Sequence, residues 1–81
     1  MAKSVFSSEY GIFLELLKER RRGAGVTQVE MAKRLGITQS AVSKVERGER
    51  RLDVIELRRW CQALGISIVG FARELEKRLR R

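Results

Sequence analysis

Apolar residues recur along this chain at steps of three and four, and the polar residues cluster where each recurrence breaks. Tyr10, Phe13, Leu14 and Leu17 form one such set, Met31 and Leu35 begin a second, and Val42 and Val45 mark a third. Leu57, Trp60, Cys61 and Leu64, with Val54 and Ile55 ahead of them, form a fourth. Ile68, Phe71, Ala72, Leu75 and Leu79 form a fifth. A period near 3.6 residues puts each set on one side of a helix. The pattern predicts five short helices packed through these faces, an all-α fold.

Residues suited to helix ends stand between the sets. Ser7 or Ser8 precedes the first helix, and Arg20, Arg21 and Arg22 close it beside Gly23-Ala24-Gly25. Cations there complement the helix dipole, and glycine ends the helix. Thr27 and Glu30 have capping-box spacing, and Thr38, Asp53 and Ser67 are further N-cap candidates. Gly36 lies between the second and third helices, where a connection of three or four residues needs a positive φ. Residues 1–7 carry no periodic pattern and read as a mobile arm. Gly70 lowers the fifth helix's own stability by about 1 kcal/mol relative to alanine, so docking must help it form.

Residues 28–47, QVEMAKRLGITQSAVSKVER, concentrate the chemistry. They read as two helices crossing steeply, with Ala32 and Gly36 small where room is least. Burying Val42 and Val45 turns Gln39, Ser40, Ser43, Lys44 and Arg47 outward. Amides, hydroxyls and cations on an exposed helix face can read base edges and hold phosphates. Gln39 suits adenine N6 and N7, Lys44 suits guanine O6 and N7, and Ser40 can donate or accept at several bases. Ser43 is placed for a base or a sugar-phosphate. Arg47, a turn further on, suits phosphate, as do Arg50 and Arg51 in the following loop. Arg21, Thr38 and Gln28 complete the expected phosphate set, Gln28 because free backbone N–H groups surround it in a first helical turn. Glu46, an anion in this basic company, reads as an internal brace.

This stretch, with Leu17-Lys18-x-x-Arg21-x-x-x-Gly25-Val26-Thr27-Gln28 before it and Val45-Glu46-Arg47-Gly48 around its end, resembles the lambda-repressor/Cro-type (Xre-like) helix-turn-helix family. The resemblance covers about residues 9–75 and implies a compact five-helix DNA-binding domain. It implies that Gln28 touches the DNA backbone and braces Gln39, and that the Gln39-Ser40 pair reads bases. It also places the last helix and its adjoining loop at a two-fold contact, so Phe71, Leu75 and Leu79 are the expected dimer interface. Many relatives carry proline near the position of Leu52; this chain has none.

Composition narrows the chemistry further. Eighty-one residues suit one small domain, and 18 Lys+Arg against 10 Asp+Glu give a net charge of +8, which favours a polyanionic partner. With no histidine and one cysteine, Cys61, neither an internal disulfide nor the common zinc spacings are available. Trp60 and Cys61 read as packing residues. No phosphate-cradling glycine loop or nucleophile elbow is present, so neither cofactor, metal site nor enzyme activity is expected. MAKSVFSSEY lacks a signal-peptide run, and no stretch approaches the roughly 20 apolar residues of a membrane span. A cytoplasmic location with no membrane partner is expected.

The expected activity is sequence-specific binding of double-stranded DNA by a homodimer on a pseudo-palindromic operator, repressing by occluding a promoter. Alternatives are an antitoxin-like protein that also sequesters a toxin, and a restriction-modification controller that can also activate through a polymerase subunit. A sequence-indifferent nucleic-acid or RNA binder driven by charge is disfavoured by the major-groove face of the third helix, because sequence-indifferent single-strand binders rely on stacking aromatics. The aromatics here fall mostly on core positions, and the tail KRLRR reads as solvated and basic.

Overall fold

The computed structural model describes residues 8–80, so the expected arm of residues 1–7 and the final Arg81 lie outside it. Its helices are α1 (Ser8–Gly23), α2 (Gln28–Leu35), α3 (Gln39–Glu46), α4 (Val54–Ala63) and α5 (Ile68–Leu79). Side chains set four of the starts. Thr27 Oγ1 accepts from the Glu30 N–H at 3.1 Å, Thr38 Oγ1 from Ala41 at 3.0 Å, and Ser67 Oγ from Gly70 at 3.1 Å. Asp53 completes a reciprocal capping box: its Oδ1 accepts from the Glu56 N–H at 2.7 Å, and Glu56 Oε1 accepts from the Asp53 N–H at 3.0 Å. Thr27 makes only its own half of the expected box, because Glu30 pairs instead with Arg34, one turn on at 3.4 Å.

Gly36 turns the chain between α2 and α3 at φ 71°. In that left-handed conformation its N–H reaches the carbonyls of Ala32 and Lys33, and the Ile37 N–H donates to the Ala32 carbonyl at 3.0 Å. The α2 carbonyls are thus satisfied while the chain reverses into α3.

The core gathers Leu16, Leu17, Val26, Met31, Ala32, Val42, Val45, Trp60, Cys61, Leu64 and Phe71. α1 packs against α3 and α5, α2 against α3 and α4, and α4 against α5. Being wedged between two partners widens the buried stripe of α1, which explains why Leu16 is fully buried beside Leu17 although the three-and-four spacing passes over it. Phe13 meets Phe71 edge-on, with ring centroids 5.8 Å apart, a geometry that suits the ring quadrupoles.

Three expectations change. Phe71 is 2% exposed and fills the core between α1 and α5, so it cannot also form a dimer surface. Val54 and Ile55, expected near the core at the start of α4, are 65% and 58% exposed, and Val54 lines a surface groove with Tyr10, Phe13 and Leu75. The basic tail is not wholly solvated: Arg78 Nη2 and Nη1 donate to Glu19 of α1 at 2.9 and 3.1 Å, and Nε donates to Glu74 at 3.1 Å. Those carboxylates push the guanidinium pKa further up, and Arg78 in turn holds the Glu19 carboxyl below its ordinary value. Arg34 fastens α2 to the end of α4 by donating to the Ala63 carbonyl at 2.8 Å.

Candidate nucleic-acid interface

α3 is anchored by Val42 and Val45, both almost wholly buried, and by the buried Glu46 at its end, while Gln39, Ser40 and Lys44 point away from the core. Gln39, Ser40 and Lys44 are exposed, and Ala41 and Ser43 are half-buried. The expected base-reading side chains therefore share one accessible helix face. The Thr38 hydroxyl is engaged in capping the helix, as its acceptance from Ala41 shows.

Beneath this face lies a polar network. Arg21 Nε donates to Glu46 Oε2 at 2.6 Å, Nη2 donates to Glu46 Oε1 at 2.9 Å, and Nη1 donates to the Val26 carbonyl at 2.8 Å. With Arg21 7% exposed and Glu46 4% exposed, this pair is internal. The expectation that Arg21 holds phosphate is corrected, because its charge is neutralised inside the fold and its fork is directed at Glu46 and Val26. Glu46 is the brace that the sequence indicated, and its partner lies 25 residues earlier.

The network continues outward. Gln28 Nε2 donates to Glu46 Oε1 at 3.0 Å, and Gln39 Nε2 donates to Gln28 Oε1 at 3.3 Å. Gln28 and Gln39 are thus brought together at the start of α3. Sequence spacing gives no sign that Gln28 also touches Glu46, since that contact depends on how steeply α2 and α3 cross.

The other arginines expected to hold phosphate, Arg47 at the end of α3 and Arg50 and Arg51 in the loop after it, are engaged with carboxylates or a ring. Arg47 donates from Nε and Nη2 to Glu49 at 2.9 and 3.2 Å, and its Nη1 donates to the Ser43 hydroxyl. Arg50 Nη2 donates to Glu56 at 2.7 Å, and the Arg51 guanidinium lies 4.1 Å over the Tyr10 ring. Hydrogen bonding to these arginines holds the Glu49 and Glu56 carboxyls below their ordinary value, and raises Arg47 and Arg50. All three are surface side chains on flexible stems, and such exposed pairs are weak enough to be exchanged for a phosphate.

Two apolar hollows open on the surface, one of them beside α3. A crevice of about 170 Å³ runs between α3 and α4, lined by Leu35, Ile37, Ala41, Val45 and Trp60, with Arg50, Glu56 and Arg59 at its rim. A broader groove, lined by Tyr10, Phe13, Val54, Leu57 and Leu75 among others, lies where α1, α4 and α5 meet. Leu75 is thus partly packed on the core and partly lines that groove, and Leu79 is half-buried. Among the described residues there is no cluster of potential metal ligands, and no helix is long and apolar enough to cross a membrane.

The arrangement of α2, turn and α3 has counterparts. Residues 17–71, more than half of the chain, match the family model described as helix-turn-helix. The chain belongs to this family, of the Xre, lambda-repressor-like kind. An HTH-type transcriptional regulator, y4dJ, from Sinorhizobium fredii is 47% identical over 49 residues, 60% of this chain and 64% of its own length. The chain therefore spans less than two thirds of that relative. An HTH-type transcriptional regulator of Methanothermobacter thermautotrophicus is 36% identical over 50 residues, 62% of this chain and 72% of its own.

Solved helix-turn-helix structures agree over a longer span. An XRE-family-like protein from Pseudomonas syringae superposes with a TM-score of 0.83 at 45% identity, covering 93% of this chain and 92% of its own. The restriction-modification controller protein C.Esp1396I, solved as a tetramer with its natural 35 base-pair operator, superposes with a TM-score of 0.82 at 25% identity. That match covers 94% of this chain and all of the controller chain.

Proposed function

We infer that this protein is a transcriptional regulator that binds double-stranded DNA in a sequence-specific manner through α3. The observation that carries this reading is the exposed face of Gln39, Ser40 and Lys44 at the first turns of a helix braced from behind by Gln28. An α-helix fits the major groove, where each base pair presents a distinct donor and acceptor pattern. Gln39, Ser40 and Lys44 read base edges, with Ser43 reaching a base or a sugar. Gln28, Thr38, Arg47, Arg50 and Arg51 hold the backbone on either side, the arginines by exchanging Glu49, Glu56 and the Tyr10 ring for phosphate.

The protein acts as a homodimer. Two copies of α3 entering successive major grooves stand about 34 Å apart, which calls for a pseudo-palindromic site. The groove containing Leu75 and Val54, with the exposed Ile55 and Val69, supplies apolar surface for the second copy. Binding over a promoter represses by occlusion. The likeness to a controller protein solved as a tetramer on its operator favours a second reading, in which two dimers load side by side on the DNA.

Fluorescence anisotropy with DNA from upstream of the protein's own gene, against a scrambled duplex, tests the first reading. Tight binding that prefers the native duplex, and loses that preference in Gln39→Ala/Lys44→Ala, supports it. If six to ten phosphates are neutralised, affinity falls about 10³- to 10⁵-fold between 50 and 200 mM salt. Selection from a random duplex pool covers a remote operator. Failure to enrich any sequence there defeats the reading.

A further inference from the structure

Glu46 and Arg21 carry a directionality that reaches the face of α3. A carboxylate only accepts hydrogen bonds and a guanidinium only donates them, whereas a glutamine amide donates at one end and accepts at the other. Arg21 holds both oxygens of Glu46 inside the fold, and Glu46 Oε1 also accepts from Gln28 Nε2 at 3.0 Å. That contact orients the Gln28 amide. Reversing it would set an oxygen against the Glu46 carboxylate and an NH₂ group against the Gln39 NH₂ group. Held in place, Gln28 Oε1 faces outward and accepts from Gln39 Nε2 at 3.3 Å.

We propose that the buried Arg21–Glu46 pair is a positioning device for base recognition, fixing through Gln28 which end of the Gln39 amide faces α2. This rests on the reading of α3 as the base-reading helix. Gln39 Nε2 carries two protons. One goes to Gln28, leaving one N–H on the α2 side and Oε1 on the far side. That ordered donor and acceptor match adenine N7 and N6 in one orientation. A Gln39 amide free to turn over presents the opposite order, which suits a different base pair, and its preference blurs. Arg21 and Glu46 need not touch DNA for this; their polarity is transmitted by one intervening amide.

Selection from a random duplex pool, read position by position, tests the proposal with wild type, Gln39→Ala, Glu46→Gln and Gln28→Leu. Gln39→Ala identifies the base pair that Gln39 reads. A bidentate contact gives wild type a preference there of roughly five- to a hundredfold. Glu46→Gln replaces an acceptor-only group with one that can face Gln28 either way, and is expected to remove most of that preference while the positions read by Ser40 and Lys44 keep theirs. Gln28→Leu cuts the network outside the ion pair and is expected to do the same, which covers a Glu46 variant that fails to fold. A loss of affinity spread evenly over all positions, with the Gln39 preference intact in both variants, overturns the proposal.

The free protein gives an answer that does not depend on DNA. Side-chain amide exchange measured by nuclear magnetic resonance is expected to show one protected Gln28 proton, lost in Glu46→Gln. Uniformly fast exchange overturns the network by itself. A wild type that enriches no sequence defeats the DNA-binding reading instead, and the exchange measurement tells the two failures apart.

Discussion

Arg47 and Glu49 form a two-pronged ion pair just beyond the end of α3, with the Arg47 guanidinium also donating to the Ser43 hydroxyl. The pair holds a cation beside the proposed DNA surface in a geometry that a phosphate would have to take over. Removing the internal competitor frees it. Glu49→Gln is expected to raise affinity for any duplex several-fold and to steepen the salt dependence by about one phosphate contact. The gain is expected to vanish in an Arg47→Ala background, which a double-mutant cycle by anisotropy would read.

Arg21 and Glu46 set up a contrast between single and double substitutions. Removing one member of a buried pair leaves the other charge uncompensated and costs about 3–5 kcal/mol, whereas apolar replacement of both can be close to neutral. Arg21→Met is therefore expected to lower the urea midpoint sharply, and Arg21→Met/Glu46→Leu to recover much of that loss. A double variant as unstable as the single one would mean that the bond to the Val26 carbonyl matters more than the charge pair.

Gly36 isolates a backbone effect. A Cβ placed there meets nothing within 4 Å, so the crossing is not tight at Gly36, where the sequence suggested least room, and a substitution is strained only by the positive φ. Gly36→Ala is expected to cost about 1–2 kcal/mol in chemical unfolding, with the folded protein still binding DNA.

Acid stability follows from the carboxylates of the outer ion pairs. Glu19 is held below its ordinary value of 4.5, first by the hydrogen bond from Arg78. A carboxyl lowered in the folded state stabilises fully above its unfolded pKa, and that contribution is lost as pH falls through the folded pKa. Thermal midpoints are therefore expected to be flat in the neutral range and to drop below pH 4.5. Glu19→Gln is expected to be less stable than wild type at neutral pH and to approach it as the solution is acidified.

The helices were legible because their signals are local. Thr38, Asp53 and Ser67 cap the helices they precede, and Val42 and Val45 bury the side of α3 that their spacing requires. The exposed face of α3 follows from the same spacing. What could not be read from the chain depends on how helices cross. Arg21 reads as one of three surface cations until Glu46 is brought to it across the core. Phe71, which the sequence allows both in the core and at a dimer surface, goes to the core where Phe13 of α1 meets it. Val54 fits the helical period of Leu57, Cys61 and Leu64, yet it is left on the rim of a surface groove. Periodicity identifies a face, and only packing decides what meets it.

The hydrogen bond from Gln39 to Gln28 constrains how this surface can diverge. Ser40 and Lys44 are exposed and carry no such tether, so a lineage acquiring a new target sequence can change them one at a time. Position 39 is different: a replacement without an amide leaves Gln28 Oε1 facing a neighbour that cannot donate. Inherited changes at 28 and 39 are therefore expected to travel together, as a two-letter unit within an otherwise freely editable helix.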